Sequence, residues 1–518
     1  MLVPRARLTA VLTTLALAAP LALGGLTALP AQAAPERTVT LVGSLQSELG
    51  CPGDWQPDCT TTELVQDASG STWSTTVTVP AGSYEYKVAL DLAWDESYGP
   101  DGSSDNGPLV VAGDTTLEVV YDDTSHRTTL TSQDLPDATV TAADRSLARA
   151  SLRASLTRER FYFLMADRFA NGSTANDRGG LTGGRLETGL DPTDKGFYHG
   201  GDLKGVTQKL DYIKGLGTTA IWLTPSFKNR PVQGSGENAS AGYHGYWITD
   251  FTQIDPHLGT NADMKALVDQ AHRKGMKVFF DIITNHTADV IQPAEPGSHP
   301  YRSKADHPYR TADGTPFDDR DFLGKSFPDL DPKVSFPYEP TLPQPGDADV
   351  KVPAWLNDVE LYHNRGETTY SGENSTYGDF SGLDDLFTER PEVVAGMTDI
   401  FKTWVDLGID GFRIDTVKHV NTEFWQEFSP AVLEHAQQQG NDDFFMFGEV
   451  YDADPAFMST YTTTGKLAAT LDFGFQNAAQ QFARGGATTG LRDLYAGDDW
   501  YTDPDSNAYQ LPTLPREP

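Results

Sequence analysis

The sequence predicts an α/β protein built on parallel strands, and three short apolar segments carry that prediction. Residues 278–283, 411–415 and 444–450 are rich in aromatic and β-branched side chains and are separated by stretches with helical spacing. Short apolar strands that alternate with amphipathic helices are typical of a parallel sheet covered on both faces. Each segment also carries an acidic residue, which is costly to bury and therefore indicates a function.

The segment at residues 411–415 holds two opposite charges. The stretch before it places apolar residues at helical spacing up to Gly408, so it predicts a helix that leads into the strand. Because strand side chains alternate, Arg413 and Asp415 face the same side. A guanidinium keeps a neighbouring carboxylate ionised and oriented, as a nucleophile requires. An isolated Arg-x-Asp pattern is nevertheless more often a structural ion pair.

Two further strands bring polar residues to the same region. Residues 444–450 carry Glu449 near their C-terminal end, and Asp281 is followed by Asn285 and His286 at the end of the earlier strand. Three buried strands that each accept a charge favour one shared site over three unrelated ion pairs.

These residues form blocks that resemble those of the α-amylase family of glycoside hydrolases. The D-x-x-x-N-H block ends at His286, the G-F-R-x-D-x-x-K-H block ends at His419, and the G-E-V block surrounds Glu449. The resemblance covers roughly residues 160 to 510. It implies a (β/α)8 TIM barrel whose site lies at the C-terminal ends of the strands.

At its beginning, the chain shows the pattern of an export signal over residues 1–33. Arg5 and Arg7 precede an apolar run, and Ala-Gln-Ala at 31–33 offers a small-residue cleavage site. A membrane anchor is the alternative, but Thr, Gly and Pro interrupt the run and no basic cluster follows it. We therefore expect the mature protein to be secreted and extracellular.

Charge and cysteine content support that interpretation. A formal net charge of -34 disfavours nucleic acid and anionic membranes as partners and suits a neutral substrate. The two cysteines are Cys51 and Cys59. In an oxidising compartment we expect them to form a local disulfide.

Residues 36–135 form a separate unit with strand periodicity. Alternating segments separated by Gly and Pro turns predict a small antiparallel β-sandwich. The unit resembles the N-terminal carbohydrate-binding-like modules of pullulanases and amylases. Its aromatic residues could either stack on sugar rings or fill the core, and the candidates are Trp73, Tyr84, Tyr86 and Trp94.

A linker at residues 136–158 leads into the first part of the catalytic barrel, residues 159–286. Strands and amphipathic helices alternate here, as a parallel barrel requires. The helix after the first strand is predicted from apolar residues at helical spacing between Leu203 and Leu216.

The loop after the second strand gathers aromatic residues and a histidine. His244, Tyr246 and Trp247 lie there in a Gly-rich stretch. Sugars offer apolar faces and hydroxyl edges, so aromatic rings beside a neutral imidazole suit them. The resemblance implies that Tyr246 stacks under the sugar at the cleavage point with His286 nearby, whereas packing alone could explain Trp247.

Residues 287–388 are predicted to form an inserted, loop-rich domain, since so long an irregular segment is usually functional or a unit of its own. The resemblance implies a Ca2+ ion between this domain and the barrel. Its ligands would be Asn285, Asp379 and the backbone carbonyl of His419. Acidic loops are abundant in this chain, so Asp379 could equally be an ordinary loop acid.

A second Ca2+ site is implied by resemblance to cyclodextrin-forming relatives. Turn formation explains the same residue types nearly as well. The candidate ligands follow the first strand: Asn171, Asn176, Asp177 and Asp202.

The resemblance also assigns the chemistry. Asp415 attacks the anomeric carbon, and Glu449 protonates the leaving oxygen and then activates water, which requires carboxyl groups about 5 to 5.5 Å apart. Glu449 lies between Phe447 and Val450, so we expect its pKa to be raised. The substrate contacts implied by the resemblance are His244, Tyr246, Trp247, His286, Arg413, Lys418 and His419.

The second part of the barrel, residues 389–518, departs from the family after a sixth strand near residue 470. The family's seventh strand ends in an Asn-His-Asp block, and this sequence contains none. We therefore expect a barrel truncated after the sixth strand, either as a truncated or frameshifted product or completed by another chain. The missing catalytic Asp predicts low activity of the chain as written.

Three functions follow from these observations. The first is a monomeric α-amylase-type hydrolase that cleaves α-1,4-glucosidic bonds of starch or glycogen-like glucans by retaining double displacement. The second is a glucan transglycosylase of the cyclodextrin-forming type or a pullulanase-type debranching enzyme, and the pair Lys418 and His419 disfavours debranching. The third is an inactive glucan-binding protein.

Overall fold

The computed structural model describes residues 37–67, 70–80, 82–100, 102–111, 114–132, 159–496, 498–501 and 513–515. The expected export signal and the linker at 136–158 lie outside these ranges. Within them, antiparallel strands form a first unit and a parallel α/β sheet forms a second. No helix among the described residues is both long enough and apolar enough to cross a bilayer.

The strands of the first unit are β1 (Val39–Gly43), β2 (Glu63–Gln66), β3 (Thr72–Val79), β4 (Gly82–Leu90), β5 (Ser97–Tyr98), β6 (Gly107–Val111), β7 (Thr115–Asp122) and β8 (Arg127–Ser132). They pair in the order β5-β4-β1-β2-β3-β7-β8, and β6 also pairs with β4. Inward side chains from both halves of this order, such as Val39 and Tyr121, form one apolar core. Strand alternation makes this possible, because every second residue faces the same interior.

A disulfide closes the loop after β1, and most of the aromatic residues of this unit are internal. The sulfurs of Cys51 and Cys59 are 2.00 Å apart. Trp73 and Tyr86 belong to the core, and Tyr84 packs against it. Of the aromatic residues proposed to stack on sugars, Trp94 is the accessible one, at 46% exposure. Of the two alternatives that the sequence left open for these rings, core packing is therefore the one that holds for Trp73 and Tyr86.

The strands of the second unit are β9 (Phe161–Leu164), β10 (Ala220–Leu223), β11 (Lys277–Ile283), β12 (Gly411–Asp415), β13 (Phe445–Gly448), β14 (Ala469–Asp472) and β15 (Thr513–Pro515). Each pairs in parallel with the next along the chain. This order confirms the predicted parallel α/β barrel sheet.

The strand β15 was not expected, because the sequence predicts a sheet that stops at the sixth strand. Its backbone pairs with β14 from Thr470 opposite Thr513 to Asp472 opposite Pro515. The sequence gives little signal for this strand, since two prolines lie within or beside three residues. The barrel sheet therefore extends one strand beyond the prediction.

The helices are α1 (Ala166–Phe169), α2 (Arg185–Thr188), α3 (Leu203–Gln208), α4 (Leu210–Gly215), α5 (Asn261–Arg273), α6 (Asn374–Tyr377), α7 (Pro391–Leu407), α8 (Thr422–Gln438), α9 (Pro455–Thr463), α10 (Phe473–Ala483) and α11 (Thr489–Ala496). The helix α7 starts at a proline and ends at Gly408, whose φ of 105° stops it as the sequence predicts. The single helix predicted from Leu203 to Leu216 is instead two, because Lys209 leaves the helical range at φ -103° and ψ 7°. Leu216 is exposed rather than buried.

Side chains of the parallel strands alternate between two layers. One set, including Ile282 and Ile414, packs under the helices in the main core. The other set, including Phe279 and Phe447, forms a separate aromatic cluster on the inner face of the sheet. Arg413 pairs with Phe447 in the strand register and therefore belongs to the inner face.

Buried charges hold together the segment inserted after β11. Lys351 Nζ lies 2.5 Å from Asp384 Oδ2. His363 lies between Asp385 at 2.7 Å and Glu389 at 2.9 Å. Burial lowers the pKa of His363, but the two carboxylates outweigh it and raise that pKa to about 9. Buried ion pairs therefore stabilise this segment despite its lack of long helices.

The regular structure of this segment and of the loops around it is short. Two-residue to seven-residue strands occur at Phe227–Asn229, Val232–Gln233, Ser240–Ala241, Ile248–Ile254, His286–Thr287, Gln292–Pro293, Tyr309–Arg310, Pro316–Phe317, Pro340–Thr341 and Asp384–Asp385. Turns of 3-10 helix occur at Thr60–Thr62, Gly236–Asn238, Asp319–Phe322, Asp347–Asp349, Ala354–Asn357, Val359–Leu361, Val417–His419 and Asp498–Tyr501.

The close approach of strands at Gly411 gives a test of this fold. A Cβ at Gly411 would lie 2.2 Å from the Phe445 carbonyl oxygen and 2.3 Å from Phe279 Cε1. We expect Gly411→Ala to lower the free energy of unfolding by about 2 to 4 kcal/mol, since backbone and a buried ring must move. Thermal unfolding of the full chain measures this. The control is Gly215→Ala in α4, which meets no atom within 4 Å and should be neutral or stabilising by about 0.5 to 1 kcal/mol; equal losses in both variants would contradict the packing.

Candidate active site

Arg413 is the centre of a buried charge cluster at the C-terminal ends of β11, β12 and β13. Its Nη1 lies 2.8 Å from Asp281 Oδ1 and 2.6 Å from Asp415 Oδ1. Its Nη2 lies 2.8 Å from Glu449 Oε1. One guanidinium therefore binds three carboxyl groups from adjacent parts of the sheet, and the geometry of its fork fixes their orientation.

Strand register brings these side chains together. Asp281 pairs with Arg413 across β11 and β12, and Arg413 pairs with Phe447 across β12 and β13. Because side chains alternate, Asp415 and Glu449 follow on the same inner face, two residues beyond Arg413 and Phe447. The inner face of the barrel sheet thus ends in charged groups at its C-terminal rim, where parallel barrels carry their sites.

Asp281 is fixed from two sides. Trp222 Nε1 donates to Asp281 Oδ2 at 3.1 Å, and the Tyr246 hydroxyl donates to the same oxygen at 3.2 Å. Burial raises the pKa of Asp281, and the positive charge of Arg413 opposes that rise. Asp281 therefore connects the ion cluster to the aromatic loop after β10.

Glu449 differs from Asp415 in its environment. Burial raises the pKa of Glu449; Arg413 opposes this rise and the negative charge of Asp415 adds to it. The Glu449 side chain nevertheless stays 21% exposed. A carboxyl group that holds its proton to higher pH and remains accessible can deliver that proton to a ligand.

The chain turns sharply after Asp415. Thr416 has φ 54° and ψ 31°, in the left-handed region, and the 3-10 turn Val417–His419 follows it. Lys418 Nζ donates to the Tyr451 carbonyl oxygen at 2.7 Å. This contact places the Lys418 ammonium beside the loop that follows Glu449.

His244, Tyr246 and Trp247 form one packed group. The ring of His244 is perpendicular to that of Trp247, with centroids 4.6 Å apart. Its Nδ1 accepts a hydrogen bond from the Tyr246 peptide N–H at 3.1 Å. Burial lowers the pKa of His244 to about 4, with a smaller effect from Arg168. The imidazole is therefore neutral, and the Tyr246 hydroxyl ties the group to the ion cluster.

His286 and His419 both contact the ring of Phe380. Their ring centroids lie 5.8 Å and 4.6 Å from it. Burial lowers the pKa of each imidazole to about 4. His419 Nδ1 lies 2.7 Å from the Ser375 carbonyl oxygen, whereas His286 Nε2 is buried and has no partner among the described residues. A neutral imidazole with an unused nitrogen suits a ligand hydroxyl.

Two exposed tyrosines lie on the rim of the site. Tyr370 is 53% exposed and Tyr451 66%. Tyr370 packs against Phe380 with centroids 5.0 Å apart, and Tyr451 packs against Phe473 at 4.9 Å. Rings that stay exposed beside a polar cleft are candidates for stacking on sugars.

The first predicted set of calcium ligands lies where the inserted domain meets the barrel. The Asn285 carbonyl oxygen accepts from the Leu386 N–H at 2.8 Å. Asp379 Oδ1 accepts from the Asp385 N–H at 3.3 Å. Phe380, the neighbour of Asp379, packs against His419. The three candidates are therefore in one region, although the structure shows no direct contact among them.

The acids beside Asp379 line a small cavity of about 20 Å³. Asp379, Asp384 and Asp385 all contribute to its wall. Burial raises the pKa of Asp379 well above its ordinary value, and the charges of Asp385 and Asp384 add to that rise. The Asp379 carboxyl group is buried near other acids without a cationic partner among the described residues, and a bound cation would stabilise its charged form.

The second predicted set is more completely assembled. Asn171 Nδ2 donates to Asp177 Oδ1 at 2.7 Å, and Asp202 Oδ1 accepts from the Gly172 N–H at 3.0 Å. Asn176 Oδ1 and Asp202 Oδ2 are buried and have no partner among the described residues. Two orphaned buried oxygens fit an oxygen-loving cation. Even so, no cluster of three or more His, Cys, Asp or Glu side chains in the described ranges is arranged as a metal site.

Sequence reasoning missed several contributors to the site. It noted Asp281 as an acid in an apolar strand but gave it no role, and it passed over the tryptophan that donates to it. Tyr451 follows Glu449 by two residues, which was an available signal for a rim residue. The others depend on contacts between distant parts of the chain and had no local signal: Trp222, Tyr370 and Phe380.

Two family models match the chain. The model described as "Alpha amylase, catalytic domain" matches residues 163–513, and the one described as "Pullulanase X25 domain" matches residues 38–128. The first match covers more than half of the chain and includes every residue of the ion cluster.

Two curated proteins agree with the first match. The α-amylase of Streptomyces lividans is 57% identical over 376 residues, which is 72% of this chain and 40% of that protein. The β/α-amylase of Paenibacillus polymyxa is 30% identical over 367 residues, 69% of this chain and 24% of that protein. A solved Anoxybacillus α-amylase is 32% identical, covers 67% of this chain and 59% of that one, and superposes with a TM-score of 0.46.

This chain spans less than half the length of the two curated relatives. The family model over residues 163–513 and the α-amylase relative nevertheless agree on one family. The chain belongs to the α-amylase family of glycoside hydrolases.

Proposed function

We propose that this protein hydrolyses α-1,4-glucosidic bonds of starch-like glucans with retention of anomeric configuration. One observation carries the proposal: adjacent nitrogens of the Arg413 guanidinium bind Asp415 at 2.6 Å and Glu449 at 2.8 Å. Two carboxyl groups on one guanidinium suit the short separation of retaining enzymes, about 5 to 5.5 Å, rather than the wider gap that admits a water.

The two carboxyl groups take different roles because their environments differ. In the first step an Asp415 oxygen forms a bond to the anomeric carbon, the glycosidic C–O bond breaks, and the Glu449 proton goes to the leaving oxygen. In the second step Glu449 takes a proton from water, whose oxygen attacks the same carbon and releases Asp415. Arg413 fixes the orientation of Asp415 through a close ion pair, while burial raises the pKa of Glu449 and so favours the protonated acid.

The surrounding residues provide binding surfaces for a neutral sugar chain. Tyr246, held by Asp281, offers its ring beside the carboxyl pair. His286 offers a buried nitrogen without a partner. Lys418 and Tyr451 lie together on the side of Glu449, where the leaving part of the glucan would rest. These contacts support a polysaccharide substrate, because they combine rings with neutral or cationic donors.

Hydrolysis is favoured over transglycosylation by the similarity to a relative named α-amylase. The prediction of low activity for the chain as written, made from the missing Asn-His-Asp block, stays a prediction. For that reason the test below includes a measurement that needs only the first chemical step.

We also infer that Ca2+ stabilises the loops after β9. Asn171, Asn176, Asp177 and Asp202 would hold it through oxygen atoms, and two of these oxygens are otherwise buried without partners. The bound ion would neutralise charge and brace the loops, and it would take no part in bond cleavage. Asn285, Asp379 and the His419 carbonyl are a second proposal of the same kind, supported by the raised pKa of Asp379.

We also propose that the protein is exported and that its first unit contacts the glucan. The pattern of residues 1–33 and the disulfide between Cys51 and Cys59 both suit an oxidising, extracytoplasmic compartment. In the first unit, Trp94 is exposed enough to stack on a sugar ring.

Trapping of the covalent intermediate tests the assignment of Asp415 and Glu449. A 5-fluoro-α-glucosyl fluoride should add one fluoroglucosyl group to the peptide that contains Asp415, as read by mass spectrometry. Asp415→Asn should not be labelled, whereas Asp399→Asn, a change at an exposed acid of α7, should be labelled normally. On starch, Glu449→Gln should lose about 10²- to 10⁴-fold in kcat. Labelling of Asp415→Asn to the wild-type extent would refute the mechanism, and cyclic products without reducing ends would favour a transglycosylase.

The pH dependence follows from the raised pKa of Glu449. A raised pKa means that the acid stays protonated above its ordinary range, so the first step is fully active below that pKa and declines as pH rises through it. A maltosyl fluoride should lack this alkaline decline, because fluoride leaves without a proton. Steady-state kcat/KM profiles for a maltooligosaccharide and for the fluoride measure the difference. The same alkaline decline for both substrates would show that Glu449 is not the acid.

Calcium binding can be measured without turnover. Ca2+ at about 100 times its dissociation constant should raise the free energy of unfolding by about 2.7 kcal/mol, read as a higher thermal midpoint after chelator treatment. Asp202→Asn retains Oδ1, which caps α3 by accepting a hydrogen bond from the Gly205 N–H, but it removes the negative charge. This variant should therefore lose most of the Ca2+-dependent increase in the thermal midpoint. An unchanged increase in this variant would rule out the loops after β9 as the binding site.

A further inference from the structure

The hydrogen-bond ladder between β12 and the chain after β13 slips by one residue beside the carboxyl pair. The Glu449 N–H donates to the Ile414 carbonyl at 2.8 Å, as regular parallel pairing requires. Regular pairing would next have the N–H of Thr416 donate to the Glu449 carbonyl. Instead the Val417 N–H makes that bond, at 3.1 Å. Thr416 is therefore an extra residue, and its N–H is released from the ladder.

This bulge is held in an unfavourable backbone conformation. Thr416 has φ 54° and ψ 31°, a region that glycine occupies readily and a β-branched residue avoids. Its side chain does not compensate, since Oγ1 is buried without a partner among the described residues. Bulges and left-handed residues next to active sites commonly aim a group at the site.

The released N–H lies close enough to the Glu449 side chain to act on its carboxyl group as a backbone donor. It favours the charged form of that carboxyl group and so lowers its pKa, against the larger effect of burial. The charged or titratable groups that also face Glu449 are Arg413, Asp415, His419 and Tyr246. Among them Arg413 binds Oε1, so the peptide of Thr416 supplies a second, uncharged donor.

We propose that the bulge at Thr416 is a positioning device: the freed peptide N–H holds the Glu449 carboxyl group in the orientation that meets the leaving oxygen. The main chain performs this role, and the threonine side chain does not. A fixed dipole aimed at a carboxyl group that gains and loses charge in each cycle needs no reorganisation during the reaction. The inference rests on the proposed function for the identity of the leaving oxygen only.

An NMR titration tests the contact directly and needs no turnover. In the full chain labelled with ¹⁵N-threonine and ¹³Cδ-glutamate, the Thr416 amide proton should move with the same midpoint as the Glu449 carboxyl carbon. Loss of the signals in Thr416→Val and Glu449→Gln assigns them. A Thr416 amide signal that is independent of the Glu449 titration would overturn the proposal.

Amide-to-ester replacement tests the function of the N–H. In the Thr416→Val chain, the α-hydroxy analogue of valine at position 416 replaces the amide N–H by an ester oxygen. This replacement should raise the pKa of Glu449 by about one unit and lower kcat about tenfold, with KM unchanged. The matched control is the same ester at Val417, which removes the neighbouring bond to the Glu449 backbone. This control should lower the thermal midpoint without moving the Glu449 titration.

Two results would contradict the inference. One is an equal effect of both esters on the Glu449 titration, which would show that the lower kcat comes from a general disturbance of the structure. The other is a raised Glu449 pKa in Thr416→Gly, which keeps the N–H and the left-handed backbone and should preserve the titration. Neither outcome depends on starch turnover, so a chain that titrates as expected but releases no sugar would count against the proposed function alone.

Discussion

The guanidinium of Arg413 is the constraint on which the rest of the site depends. It is buried, it binds Asp281, Asp415 and Glu449, and its removal would leave three acids without their shared cation in a poorly hydrated space. Burial of so many charges is not a route to stability. It is a way of fixing two carboxyl groups against each other, and burial raises the pKa of one of them, Glu449.

The barrel sheet serves this cluster by its register. Inner-face positions below the rim are aromatic in β11 and β13 and glycine in β12, whereas those at the rim are charged. A shift of one residue would therefore turn every charge into the helix-covered core. Gly411 lets the neighbouring strand and the Phe279 ring approach closely at the start of β12. The slip at Thr416 then breaks the regular ladder where the chemistry needs a donor rather than another strand bond.

The inserted domain and the loops after β10 complete the site from one side. Phe380 contacts His286 and His419, which brings residues of the domain onto the ends of β11 and β12. Burial keeps both imidazoles neutral, with pKa values lowered to about 4. The site therefore combines a strongly charged floor with neutral walls.

The sequence by itself determined the parallel strands, the helix α7 with its glycine stop, and the candidate site residues Arg413, Asp415 and Glu449, because alternation and helical spacing are local and the charged residues stand out in apolar segments. Tertiary structure alone decided that Trp222 supports Asp281, that Trp73 is core while Trp94 is exposed, and that Thr416 leaves the ladder. These features depend on which distant segments meet, and a linear pattern does not encode such contacts. The short strand β15 was missed for the same reason, since its pairing partner rather than its own composition makes it a strand.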